Sequence, residues 1–311
     1  SGAAFWNIAA GGGGFADVAR ATSETVILGN AFIDLSGASI EQTGGGASGL
    51  FAMDALNTVV ARDRVNMDSL GGVSVPEASS NVSASTTSTV RIGNGTILTS
   101  LGDLNVGARN DTELSAQVAV DAYGLAGAPA GDTKADGDSR NLIEVGDAAL
   151  TAKRDINLNA GANSDPDSPV SRVSTRARTN LWNNTAIPIN QDPIADAVSS
   201  NHSQIDVGAE ADLQSVRHTK LFAEQGEVSA SGVGIAKDLW REALAAVASA
   251  ISNAFGGGDV SFETRRDSSV TEQSTGVNVD GHVRVGINRK QLLAIDIDGT
   301  VKESVGDITI T

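Results

Sequence analysis

Closely spaced aspartates are the residues of this sequence whose chemistry is easiest to name. Asp132, Asp136 and Asp138 occur in GDTKADGDSR, a segment whose glycine and aspartate content predicts a loop. Calcium takes several oxygen ligands from carboxylates and carbonyls, so these three aspartates are a candidate calcium site. We favour a solvated turn instead, because the segment completes neither an EF-hand loop nor a glycine–aspartate nonapeptide array.

Other potential metal ligands lack a recognisable spacing. Two further aspartate pairs occur in turn-like segments, Asp165 and Asp167 in NSDPDSP and Asp296 and Asp298 in DIDGT. The histidines are His202, His218 and His282. Metal sites draw histidines from short, characteristic spacings, so we interpret these three as surface or strand-facing side chains. Apart from calcium, we expect no cofactor.

Catalytic motifs are absent from the sequence. It contains neither GxSxG nor HExxH, and its Arg and Asp residues are scattered without the spacing of a catalytic pair. We therefore predict that the chain is not an enzyme. The alternative is a carbohydrate-cleaving protein, because many β-helix proteins are lyases or hydrolases that use carboxylates and basic residues along one face.

Tryptophan is rare and supplies the candidates for a carbohydrate platform. The three tryptophans are Trp6, Trp182 and Trp240. Trp182, in NLWNN, is the one that could be exposed in a loop and stack on a sugar, although we favour core packing for it. Trp240 falls on the apolar face of a predicted helix, and we expect it in the core.

The composition argues against some kinds of partner and favours one kind of fold. The formal net charge of −16 argues against nucleic acid and anionic membranes as partners, because both are bound through clustered Lys and Arg. No run of about 18 apolar residues is present, so we expect no membrane insertion. Aromatic residues make up only 4% of the chain. Such a scarcity of large side chains favours strands in thin, repeated layers over one thick core.

A short pattern, apolar–x–apolar–Gly, recurs five times at uneven separations. The recurrences begin at Val26, Val90, Ile143, Ile205 and Val283. A second, alternating strand follows several of them. Its matching apolar positions are Leu104 and Val106, Ile156 and Leu158, and, in RDRVNMDS, Val65 and Met67. Alternation with a period of two predicts strands with one buried face, and segments such as GLAGAPAGDTKADGDSR predict loops between them.

These features predict an all-β fold, a right-handed parallel β-helix (β-solenoid) over residues 25–311. A repeat unit of this kind buries its apolar face only by stacking on its neighbours, and parallel crossovers are strongly right-handed. We expect residues 1–24 to be an irregular or helical flanking segment. The uneven period leaves an array of β-sandwich modules as the alternative.

One segment breaks the β pattern. In residues 237–255, KDLWREALAAVASAISNAF, apolar residues recur with helical spacing, and the glycines at 256–258 would end a helix. We predict an inserted amphipathic α-helix. It would cover an open edge or an apolar groove, or in the alternative contact a partner.

The repeats RIGNGTILTSLGDLNVGA, IEVGDAALTAKRDINLNAG and IDVGAEADL resemble the passenger regions of filamentous-haemagglutinin-like and leukotoxin-like bacterial adhesins. The resemblance covers roughly residues 25–235 and 270–311. It implies a secreted or cell-surface rod that holds a distal binding element away from the cell, and it carries no catalytic residues. The predicted helix and the uneven spacing depart from the family's pattern.

Taken with the resemblance, these features predict a non-catalytic structural or adhesive segment of a large secreted or cell-surface bacterial protein, acting as a rod, filament or matrix element. The expected location is extracellular or at the cell surface. Expected partners are other copies or segments of the same large protein, and cell-surface glycans. A carbohydrate-binding or carbohydrate-cleaving β-helix protein is the main alternative, and a calcium-dependent binding module is another.

Overall fold

Strands account for nearly all of the regular structure in the computed structural model, which describes residues 4–44, 49–165, 168–189, 191–254, 263–285, 294–296 and 308–310. In chain order the elements are β1 (Ala4–Asp17), β2 (Arg20–Leu35), β3 (Ser39–Glu41), β4 (Leu50–Ser74), β5 (Glu77–Ile92), β6 (Thr96–Ser100), β7 (Asp103–Gly127), β8 (Ala130–Val145), β9 (Ala148–Ala152), β10 (Asp155–Ala160), β11 (Arg172–Pro188), β12 (Pro193–Val207), β13 (Asp212–Ser215), β14 (His218–Ala223), β15 (Glu227–Asp238), α1 (Leu239–Ala254), β16 (Thr264–Asp267), β17 (Ser269–Val279), β18 (His282–Val285), β19 (Ala294–Asp296) and β20 (Ile308–Ile310). The predicted all-β class is therefore confirmed.

The strands form three sheets, which the chain visits in turn. Sheet A has nine strands, sheet B five and sheet C six in the described part of the chain. The first strands β1, β2 and β3 belong to A, B and C, and β4, β5 and β6 repeat that order. Neighbouring strands pair in parallel except β15 with β16 and β18 with β19, which are antiparallel. Parallel pairing of this kind requires each strand to meet one from the next pass of the chain.

Part of the predicted repeat is confirmed by the register of these sheets. The matched positions that pair are Val90 with Ile143, Ile143 with Ile205, Leu104 with Ile156, and Val106 with Leu158. All seven side chains are buried. The recurring apolar pattern thus marks the place where three sheets converge on one apolar cluster.

Three other matches are wrong. Val26 pairs with Ser83 and faces outward, so it is not the counterpart of Val90. Val283 belongs to sheet C, where it pairs with Leu213. The segment with Val65 lies further along its strand than predicted and pairs with residues 115–122 rather than with Leu104. The pattern misleads here because apolar alternation also occurs on other strands of the three sheets.

The loop predicted at residues 124–140 is also wrong. Most of this segment belongs to β7 and β8, and β8 pairs with strands on both sides. Its inward positions include Gly131 and Gly137, where sheet A approaches closely. A Cβ at Gly131 would lie 2.7 Å from Thr179 Cγ2 and 2.8 Å from Leu181 Cδ2. These glycines allow the two sheets to pack closely. A sequence pattern does not distinguish glycines of this kind from the glycines of a turn.

Residues 4–17 differ from the irregular or helical flank expected for residues 1–24. They form β1, which pairs with β4 from Ala61 to Ser74. The four glycines at 11–14 lie within this strand.

The interior alternates between apolar and polar layers along the long strands. Three apolar clusters are built largely from Ala, Val, Leu and Ile. Between the first two lie buried Ser, Thr and Asn side chains that hydrogen-bond to one another, among them Asn110 and Asn141. Small polar residues can fill a β interior because each one finds partners on the facing sheet or the next strand.

The predicted helix is confirmed as α1, although its predicted packing is wrong. Asp238 precedes the helix, and its Oδ1 accepts a hydrogen bond from the Arg241 backbone N–H at 2.8 Å, which satisfies one of the free amides of the first turn. Leu244 and Ile251 are 61% and 57% exposed, and no residue of α1 is buried. Trp240, expected in the core, is 57% exposed. The predicted glycine end at 256–258 lies outside the described residues.

Candidate functional site

The predicted calcium ligands lie on the outer face of β8 and do not converge. Asp132, Asp136 and Asp138 share that face, but an extended strand spreads them over about 20 Å. Asp136 Oδ2 lies 3.3 Å from Lys134 Nζ, and Asp138 Oδ2 lies 3.4 Å from Arg140 Nε. Among the residues that the structure describes, no group of three or more His, Asp or Glu side chains could hold a metal ion.

Asp132 is partly buried and lies near both acidic and basic side chains. Burial raises the pKa of its carboxyl, and nearby Asp196 raises that pKa further, while Arg266 and Lys134 oppose the shift. Burial and the charge of Asp196 therefore both disfavour the ionised form of the Asp132 carboxyl.

The three histidines lie on three different sheets and do not converge on one site. His202 Nδ1 lies 2.6 Å from Ser274 Oγ and its Nε2 lies 3.7 Å from Asp138 Oδ1 on the face of sheet B. His218 begins β14 in sheet A, and His282 begins β18 in sheet C. Asp167 and Asp298 lie outside the described residues, and so does the side chain of Trp6.

An aromatic and acidic cluster that sequence patterns missed lies on the outer face of sheet A. Asp68 on β4 pairs with Asp121 on β7, and Asp121 pairs with Trp182 on β11. All three side chains face outward, as does Tyr123, two residues beyond Asp121. We call these four residues, Asp68, Asp121, Tyr123 and Trp182, the acid–aromatic surface. Trp182 is half-buried on an open sheet face, which replaces the predicted core packing.

The charge of Asp68 acts on the neighbouring Asp121 and Tyr123. The pKa of Asp121 is raised, mainly by partial burial and then by the nearby charge of Asp68, while a hydrogen bond with Tyr123 opposes the shift. The pKa of Tyr123 is raised by burial and by both carboxylates. Tyr123 therefore stays a protonated hydroxyl at neutral pH and can donate to Asp121.

A shallow trough borders this surface because β1 has no side chains there. Gly11 and Gly13 pair with Asp68 and Leu70 on the neighbouring strand. The trough has a volume of about 350 Å³, and its lining includes Gly11, Gly13, Asp68 and Tyr123. This volume is within the range of small-molecule sites, about 300–1,000 Å³.

Two other depressions are lined mainly by charged and small residues. One, of about 430 Å³, is lined in part by Arg91, Glu144 and Asp206. Arg91 Nε is 3.8 Å from Glu144 Oε2, and Asp206 Oδ1 accepts a hydrogen bond from Asn278 Nδ2 at 2.7 Å. The other, lined by Glu113, Arg172 and Glu227 among others, also lacks an aromatic side chain. Aromatic side chains thus distinguish the trough beside Tyr123.

No family model, curated protein or solved structure matches the chain. Within the described ranges, no helix is long and apolar enough to cross a membrane.

Proposed function

We propose that the chain is a right-handed β-solenoid that acts as a non-catalytic structural and adhesive segment of a large bacterial protein, secreted or held at the cell surface. The observation that carries this proposal is the continuous parallel register of sheets A and B through successive passes of the chain. Met53, Val106, Leu158 and Leu221 follow one another in this way on sheet A. Stacked passes of this kind make an extended scaffold.

The surface of the molecule supports a structural role. Its outer faces carry ion pairs between successive strands, such as Arg62 Nη2 with Glu113 Oε1 at 3.2 Å and Arg20 Nε with Glu77 Oε2 at 2.8 Å. Other copies or segments of the same large protein are the partners proposed for the strand edges, and cell-surface glycans are proposed for the outer faces. The resemblance to adhesin passenger repeats supports the same assignment.

Two measurements test this proposal. Antibodies against residues 1–311 should label intact cells of the source organism, and labelling that requires lysis would contradict a surface location. Small-angle X-ray scattering of the purified chain should give a radius of gyration above the value of about 19 Å for a compact domain of this length. A value at or below that figure would contradict an extended scaffold.

A carbohydrate-cleaving enzyme is the second candidate, and the Asp68–Asp121 pair is the observation that favours it. Glycosidases use two carboxyl groups whose environments hold one of them protonated, and the raised pKa of Asp121 fits the acid. Release of new reducing ends from soluble polysaccharides, lost in Asp121→Asn, would support this candidate. No release by the unmodified chain would leave the structural role in place.

A further inference from the structure

We propose that the acid–aromatic surface binds neutral oligosaccharides. The inference rests on the proposed adhesive function and names the ligand class and the place of contact. Trp182 supplies an aromatic ring on the outer face of sheet A, and the in-register carboxylates of Asp121 and Asp68 lie on the next two strands. A sugar ring has an apolar C–H face and a rim of hydroxyl donors, and this surface offers a complement to both.

The polar groups around Trp182 suit hydroxyl recognition. Asn180 and Asn184 lie two residues to either side of it on the same outward face of β11, and each amide can both donate and accept. Lys237 pairs in register with Trp182 on the far side and adds a donor. The surface therefore combines two carboxylates, two amides, an ammonium group and an aromatic ring on neighbouring strands.

The arrangement favours a ligand longer than one sugar. The surface crosses from the glycines of β1, through Asp68 and Asp121, to Trp182 on β11, and parallel strands are about 4.8 Å apart. Three such spacings span about 14 Å, which an oligosaccharide crossing the strands would cover. The missing side chains at Gly11 and Gly13 leave room for its end in the trough beside Tyr123.

Charge decides between neutral and acidic sugars. Asp68 and Asp121 lie side by side, and the whole chain carries a formal charge of −16. Sialylated or sulfated sugars would meet like charge at these two carboxylates, whereas neutral hydroxyls can donate to both of them. The surface is therefore expected to prefer neutral glycans.

The test is binding to a printed array of defined oligosaccharides that includes matched neutral, sialylated and sulfated members. The unmodified chain should bind at least one neutral glycan, and its sialylated counterpart more weakly. Trp182→Ala and Asp121→Asn should each lower binding about tenfold. Phe32→Ala and Asp136→Asn, which remove an aromatic ring and a carboxylate from the outer face of sheet B, should leave binding unchanged.

Three outcomes would overturn the inference: no binding to any neutral glycan, a preference for acidic glycans, or Trp182→Ala binding as well as the unmodified chain. If Trp182→Ala does not fold, Asp68→Asn serves instead, because Asp68 is exposed. Binding should also persist in a chelator, and its loss there would replace direct contact with a metal bridge. Failure of the array leaves the scattering and labelling results intact, so the two proposals fail separately.

Discussion

Asn110 Nδ2 donates a hydrogen bond to Asn141 Oδ1 at 3.0 Å, which joins β7 of sheet A to β8 of sheet B through the interior. Ser88 Oγ donates to Asn110 Oδ1 at 2.9 Å, and Asn141 Nδ2 donates to Asn201 Oδ1 at 3.1 Å. Ser171 Oγ donates to Asn141 Oδ1 at 3.0 Å. This buried network fixes how the two sheets face each other, because a shift of either sheet by one residue would leave several of its groups unpaired.

Removing the centre of this network should destabilise the fold. Asn141→Ala is expected to lower the free energy of unfolding by about 2–3 kcal/mol. The substitution removes the acceptor of the Ser171 hydroxyl and the donor to Asn201 Oδ1. Urea denaturation followed by circular dichroism measures the change. Asn81→Ala, on the exposed face of β5, should change stability by less than about 0.5 kcal/mol. Equal stability of the two variants would show that the network contributes nothing.

Close approach of the sheets at Gly131 gives a second prediction. Gly131→Ala should lower the free energy of unfolding by about 1–3 kcal/mol, because its Cβ would press on Thr179 and Leu181. At Gly276 nothing lies within 4 Å of an added Cβ, so Gly276→Ala should be neutral or stabilising. The comparison uses the same substitution in two strands and the same urea titration. If Gly131→Ala leaves the free energy of unfolding unchanged, the two sheets can move apart at this point with little loss of stability.

The buried carboxylate of Asp63 opposes folding. Asp63 is 2% exposed, and neither of its carboxylate oxygens has a hydrogen-bond partner among the described residues. Its partner in the next strand is Ala116, which pairs in turn with Ala177. Asp63→Ala should therefore raise the free energy of unfolding by about 1–3 kcal/mol, as removal of an unsatisfied buried group does.

Asp136→Ala is the matched control for Asp63, because it removes an outward carboxylate from sheet B. It should change stability by less than about 0.5 kcal/mol. Destabilisation by Asp63→Ala would instead show that the carboxylate has a stabilising partner.

Sequence patterns predicted the fold best where large apolar residues carry it. Leu104 and Ile156 were matched because their neighbours repeat the same alternation, and the register confirms it. The pattern predicts a loop at residues 124–140 because Gly, Asp and Ser are as typical of turns as they are frequent on β8. Whether such a segment is a turn or a strand depends on how closely the facing sheet approaches, as at Gly131. That distance is set by the tertiary structure and not by the local sequence.

The acid–aromatic surface could not be predicted for a related reason. Asp68, Asp121 and Trp182 are separated by more than 50 residues at each step along the chain, and they become neighbours only through the strand register. No local spacing signals such a cluster. The single hint was Trp182 itself, a rare aromatic residue among the polar side chains of NLWNN.

The first turn of α1 should depend on Asp238. Asp238 Oδ1 accepts the Arg241 backbone N–H at 2.8 Å, and its Oδ2 lies 3.1 Å from Arg241 Nε. Asp238→Ala is expected to cost the helix about 1 kcal/mol, which would speed amide hydrogen exchange within residues 239–254 several-fold. Leu244→Ala, at a position 61% exposed, should leave that exchange nearly unchanged. Unaltered exchange in Asp238→Ala would rule out a capping role.

Partial burial of Asp121 gives stability a specific pH dependence. Burial raises the pKa of its carboxyl above the ordinary value of 3.8, so the folded state holds this proton more tightly than the unfolded state. Ionisation of Asp121 therefore opposes folding as the pH rises above 3.8, whereas below that value both states are protonated and the residue contributes nothing. Asp121→Asn removes the penalty and keeps an oxygen that accepts the Tyr123 hydroxyl. Its melting temperature should exceed that of the unmodified chain at pH 7, and the difference should vanish near pH 3. Asp136→Asn should show no such gain, and a gain for Asp121→Asn that is equal at both pH values would contradict the assignment to this carboxyl.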